Sequence, residues 1–159
     1  MRAMTKNPDQ DLLHRFLFEN TPIRGNTVHL NNTYNIALQH TEYPPLLKNA
    51  LGELMAAAAL LAATLKLQNG ALILQIQGKG PLKLLVVECS ANLEMRATAK
   101  WDGEINQQSF QDLVGNGQFV ITLDPKDGGQ TYQGIVPVEG NSISQILENY
   151  MQRSEQIET

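Results

Sequence analysis

A chain of 159 residues with 42% hydrophobic side chains is long enough to bury a core, and its composition is globular rather than disordered. Charged residues make up only 18%, with 14 Gln and 13 Asn filling the gap, and a net charge of −4 excludes the basic stripe that nucleic acid requires. Lys and Arg occur only singly, which excludes an anionic membrane surface as the expected partner, and the opening "MRAMTKNPDQD" has no apolar stretch of the secretory-signal kind.

The first strand-like segment is "LLHRFLFEN" (Leu12 to Asn20), followed by "TPIRGNTVHL", in which Arg24-Gly25-Asn26 reads as a turn or bulge. The two form either a hairpin or a strand and its neighbour. "NNTYNIALQH" opens a short helix with Asn32 or Thr33 as cap. Tyr43-Pro44-Pro45 breaks the chain and seeds the main helix, because proline is favoured in a first turn where its missing N–H is not needed. Positions 47, 51, 54, 58, 61 and 65 hold Leu, Leu, Leu, Ala, Leu and Leu, and Ala and Met fill the other faces, so little of this helix is left for water. Its apolar run, Leu54 to Leu65, is 12 residues with one Thr, short of the ~20 of a membrane span. A central helix covering a sheet is favoured over a coiled-coil or dimer seam, since the pattern lasts only three heptads. Gln68-Asn69-Gly70 supplies its stop signal.

A strand-rich half follows. In "ALILQIQG", Leu74 and Ile76 share one face and Gln75 and Gln77 the other. "GKGP" makes a turn. "LKLLVVEC" is a nearly continuous apolar run, the pattern of a strand covered on both faces. "MRATAKWDG" sets Arg96, Thr98 and Lys100 against Ala97, Ala99 and Trp101, so one side faces water. "SFQDLVG" is a short helix signal, and "GQFVITLDP" and "TYQGIVPVEG" are two strands joined by the turn-rich "PKDGG". The chain closes on "ISQILENYMQRSEQIET", a helix with Ile143, Ile146, Leu147 and Tyr150 on one face and Asn141 or Ser142 as cap. The order β, β, α, α, β, β, β, short α, β, β, α predicts an α+β fold: layered mixed or antiparallel sheets, a long buried central helix and a C-terminal helix.

No catalytic or metal-ligating constellation stands out. His14, His29 and His40 have no partner pattern, and a single cysteine cannot supply a metal site or an internal disulfide. "GKGPLK" lacks the ending of a phosphate loop, and "GNGQFV" runs from helix to strand, the wrong order for aiming amides at an anion; both read as tight turns. Cys89 ends an apolar strand beside Glu88, and both burial and that carboxylate raise a thiol's pKa, so a structural cysteine is favoured over a reactive one. The residues alone point to binding or assembly, not to an enzyme.

Several segments in series carry a more specific signal: "LHRFLFEN", "IRG", "YPPLLKNALGEL", "LLAATLK", "QGKGPLKLLVVE", "MRATAKW", "LVGNGQFVIT", "YQGIVPVEG" and "ENYMQRSEQIET". In this order they resemble the N-terminal domain of the redox-regulated heat-shock protein 33 chaperone family. The resemblance implies an ATP-independent cytoplasmic holdase that binds unfolded or partly folded client proteins under oxidative or heat stress, and that acts as a homodimer when oxidised. It further implies a switch C-terminal to this domain, in which a Cys-x-Cys and a Cys-x-x-Cys pair hold zinc when reduced and form disulfides when oxidised. Neither pair is present in this chain, and Cys89 matches none of the four switch positions, so no metal ligand or cofactor is expected here and zinc belongs to the full-length protein.

On this reading residues 1–11 form a flexible N-terminus and residues 12–159 one client-binding and dimerisation domain. The terminal helix is expected to be ordered to about Ser154, with the rest looser. A holdase needs an apolar patch rimmed by polar groups, and the candidate client-binding residues are Ile143, Ile146, Leu147, Tyr150 and Met151. Some of Ile146, Tyr150 and Met151 are expected to be more exposed than in a complete protein. The alternative is a structural or dimerisation module with no client affinity of its own.

Overall fold

A computed structural model describes residues 10–65, 67–106 and 108–154. β1 (Leu12–Leu17) and β2 (Arg24–His29) pair antiparallel as a separate two-stranded sheet. They form a hairpin, closed where the Phe18 amide donates to the Ile23 carbonyl at 3.0 Å. Arg24-Gly25-Asn26 is not the expected turn or bulge; it lies inside β2, with Gly25 opposite Phe16. The Phe16 ring lies over Gly25, in the space a side chain there would fill.

α1 (Asn32–Leu38) has Asn31 at its N-cap rather than Asn32 or Thr33. Its first turn is closed from before β1. The Asp11 carboxylate accepts from the amides of Asn31 (2.7 Å) and Thr33 (3.1 Å) and from the Thr33 hydroxyl. Burial pushes the Asp11 carboxyl up, but these bonds and one from the Asn32 amide outweigh it and hold the group below its ordinary value. Asp11, which sequence places with a flexible N-terminus, is therefore tied to the fold; residues 1–9 lie outside the described residues.

α2 (Pro45–Thr64) begins as expected, with Pro44 as N-cap and Pro45 in the first turn. Leu47, Leu51, Leu54 and Ala58 are buried, and the helix lies across β3 (Ala71–Gln77), β4 (Leu82–Ser90) and β5 (Met95–Trp101). It stops before the Gln68-Asn69-Gly70 signal: Leu65 turns to extended backbone (ψ 132°), and the Thr64 hydroxyl bonds back to the Leu60 carbonyl at 2.8 Å. At 20 residues α2 is long and apolar enough to cross a membrane by length and composition; in this fold it is the core helix.

β6 (Gln118–Asp124) and β7 (Tyr132–Pro137) complete a five-stranded sheet of order β5-β4-β3-β6-β7, antiparallel at every step. α3 (Phe110–Val114) is capped by the Ser109 hydroxyl, which accepts from the Asp112 amide at 3.0 Å. The first glycine-rich stretch is locked to the end of α3, just before the second: the amides of Lys79 and Gly80 both donate to the Val114 carbonyl, at 2.8 and 2.9 Å. A Cβ on Gly78 would stand 2.0 Å from the Leu82 carbonyl oxygen. α4 (Ile143–Ser154) is capped by Ser142, whose hydroxyl accepts from the Gln145 amide at 3.2 Å, while the Gln145 side chain accepts from the Asn141 amide at 2.7 Å. Residues 155–159, expected to be looser, lie outside the described residues.

Candidate functional site

Alternation along the strands gives the large sheet two unequal faces. Leu72, Leu74, Ile76, Leu85, Val87, Cys89, Phe119 and Ile121 point to one side and join the residues of α2 and α4 in a single core. The opposite side carries Ile73, Leu84, Val86, Val120 and Ile135, none of which belongs to that core. No helix lies over this second face among the described residues. The sequence pattern of β4 calls for cover on both sides, and the fold supplies it on one.

The register shows how the open face is arranged. One rung runs Thr98, Val86, Gln75, Val120, Ile135 across all five strands. Val120 is buried at its centre, and Ile135 on the edge strand is 54% exposed. On one side of this rung Lys100, Leu84, Gln77, Gln118 and Pro137 line up, and on the other Arg96, Glu88, Ile73, Thr122 and Gln133. The polar members tie to one another: Gln77 donates to Gln75 and Gln133 to Thr122, each at 3.2 Å. Lys126 sits 3.4 Å from Glu88 and 3.9 Å from Asp124 at one corner. The result is an apolar stripe framed by amides and exposed charges, the composition of a surface that meets another chain.

The five residues named from sequence on α4 lie elsewhere. Ile143, Ile146 and Tyr150 are buried in the core, and Leu147 and Met151 are half-buried against it. The Tyr150 ring meets Phe119 edge-on, with centroids 5.9 Å apart, and fills space left by Gly134, where a Cβ would stand 2.9 Å from its hydroxyl. Ile146 and Tyr150 are thus closed off in this chain: a side-chain-free position on β7 lets the helix face close on the sheet. The residues of the open face were missed, although the unbroken run "LKLLVVEC" was a usable signal.

The remaining candidates do not converge. His14, His29 and His40 are exposed, and no group of three or more His, Cys, Asp or Glu among the described residues is placed to hold a metal. Cys89 is free and fully buried, and burial pushes its thiol up to about 11. Glu88 is not the cause, because alternation points it to the opposite face.

Comparison with known proteins agrees with this architecture. The family profile described as "Hsp33 protein" matches residues 11–159. The 33 kDa chaperonin of Methylobacillus flagellatus is 70% identical over 149 residues, covering 94% of this chain and 51% of that protein. That of Chromobacterium violaceum is 52% identical over 151 residues, with the same coverage. The solved structure of the 33 kDa chaperonin from Thermotoga maritima superposes with a TM-score of 0.79 at 20% identity, over 91% of this chain and 51% of that one, a likeness of fold. The chain spans about half the length of the curated relatives it matches.

Proposed function

The chain belongs to the Hsp33 family, and from that premise we propose that it is the client-binding part of an ATP-independent holdase. The client surface is the open face of the large sheet. One observation carries the reading: an apolar stripe through Ile73, Leu84, Val86, Val120 and Ile135 lies outside the core on a face that no described helix covers. A holdase performs no bond chemistry. It needs apolar area that an unfolding chain can bury, at a gain of roughly 25 cal/mol per Å², and a polar rim that keeps it dispersed. Five strands present that area as a wide, rigid platform, and the Gln side chains and flanking charges provide the rim. The α4 residues Ile143, Ile146, Leu147, Tyr150 and Met151 join the client surface only if α4 leaves the sheet.

The residues present do not fit a zinc site, since Cys89 is alone and buried. We place zinc, the four-cysteine switch and its disulfides in the part of the relatives that this chain does not span, and no step of client binding here runs through them. Action under oxidative or heat stress, in the cytoplasm and as a homodimer, belongs to the same proposal and is supported by family membership. The test is light scattering from a thermally unfolding client with no nucleotide present. Suppression at stoichiometric excess is the expected result. A dimer by sedimentation that never suppresses aggregation favours the alternative, a dimerisation module without client affinity.

A further inference from the structure

Gln68-Asn69-Gly70 and Gly115-Asn116-Gly117 are the two places where this chain sets an asparagine before a glycine. Such a pair rearranges without an enzyme. The main-chain nitrogen of the glycine attacks Cγ of the asparagine side chain, the Cγ–Nδ2 bond breaks, ammonia leaves, and a five-membered succinimide remains. Water then opens the ring at one of its two carbonyl carbons. One opening gives aspartate. The other gives isoaspartate, in which the main chain passes through the former side chain and is one atom longer. Glycine favours the attack because it has no side chain to crowd the ring. The attacking nitrogen must also be free to turn, and a hydrogen bond on its proton holds it back.

The fold treats the two pairs differently. Asn69 and Asn116 are both exposed, and neither side chain has a hydrogen-bond partner among the described residues. Gly117 is held at both ends: its amide donates to the Gly115 carbonyl at 2.9 Å, and its carbonyl accepts from the Val138 amide at 2.9 Å. Turning its nitrogen onto Asn116 breaks the first of these bonds, beside the turn that Lys79 and Gly80 lock to Val114. Gly70 is held at one end only. Its carbonyl accepts from the Ala91 amide at 3.0 Å, while its own amide donates to no group among the described residues. Packing requires the glycine here, since a Cβ would stand 2.5 Å from the Asp124 carbonyl oxygen. Asn69 lies in the connection between α2 and β3, where neither a helix nor a strand ladder fixes it.

We propose that Asn69 is a modification site: the native chain converts it to aspartate and isoaspartate through a succinimide formed with Gly70, and spares Asn116. One water is taken up and one ammonia released, and no oxidant or cofactor takes part. The product matters for the sheet. Either form places a carboxylate two residues before Ala71, which sits opposite Asp124, at the corner where Lys126 already meets Asp124 and Glu88. Isoaspartate also lengthens the connection into the central strand β3, next to the bond between the Gly70 carbonyl and Ala91. That bond is therefore loosened. Asn69 is part of neither the open face nor α4, so the conversion proceeds whether or not that face holds clients.

The experiment incubates the 159-residue chain at mildly alkaline pH in water enriched in heavy oxygen, and reads each asparagine by peptide mass spectrometry. Label marks conversion during the incubation. The expected result is labelled product at Asn69 about fivefold or more ahead of Asn116, the factor that one net hydrogen bond is worth. In urea the two sites should react at similar rates, because both are followed by glycine, which assigns the native difference to the fold. Asn69→Gln should remove the fast product and leave the circular dichroism spectrum unchanged, since the position is exposed. An isoaspartyl methyltransferase with S-adenosylmethionine reads the isoaspartate share. In that form, separated on an anion exchanger, the Ala91 amide should exchange faster than in the unmodified chain. A native chain in which Asn69 stays intact, or converts no faster than Asn116, overturns the proposed site. Unchanged protection of Ala91 overturns its structural consequence.

Discussion

The Phe16 ring lies over Gly25 on the neighbouring strand, so close that a Cβ on the glycine would meet the ring's Cζ at 2.2 Å. A glycine weakens a strand unless something covers it, and here an aromatic ring from across the hairpin does so. Phe16→Ala should therefore loosen β1 and β2. The expected cost is about 1 kcal/mol or less, seen as faster amide exchange confined to residues 12–29.

Asp11 ties the start of the chain to α1. Asp11→Ala should cost about 1 kcal/mol, as the loss of a cap does. The pH dependence has a definite sign. The folded carboxyl lies below its ordinary value of 3.8, so its contribution is complete above the unfolded pKa and is lost as pH falls through the folded one. Urea unfolding at a series of acidic pH values should show a gap between wild type and Asp11→Ala that closes on acidification.

Gly78 is held between backbone atoms rather than flexible side chains. The Leu82 carbonyl oxygen, 2.0 Å from any Cβ placed there, cannot move without breaking the turn that joins β3 to β4. Gly78→Ala should cost about 2 kcal/mol or more and lower the thermal midpoint by about 5 °C, with calorimetry as the check.

Cys89 is buried, with its thiol raised to about 11. The native protein should react with a thiol reagent at neutral pH far more slowly than the urea-unfolded chain, and the native rate should rise with pH, since the thiolate is the nucleophile. Equal native and unfolded rates would show that the strand is not packed as described.

Much of the fold was legible from local pattern. Alternation in β3 and β5, the Pro44-Pro45 helix start and the Ser142 cap are short-range signals, and each appears where the sequence places it. The failures share a cause: they depend on partners distant in sequence. Gly25 looks like a turn until Phe16 is known to lie across it, and α1 is capped by Asp11, 20 residues before Asn31. The candidate surface was misplaced for the same reason. The amphipathic face of α4 is conspicuous in sequence but is closed by Gly134 and Phe119. The open face is spread over five strands, four of which contribute one or two apolar residues each, and only the two-sided apolar run of β4 hinted at it.

We propose that this open face holds clients. Its most direct test is light scattering from a thermally unfolding client in the presence of wild type and of the double variant Val86→Glu, Ile135→Glu. Both positions lie on the stripe and outside the core, so the variant should keep its fold and its thermal midpoint within a few degrees. Wild type should suppress aggregation without nucleotide, and the double variant should lose most of that suppression. A folded double variant that protects the client as well as wild type does would contradict the account.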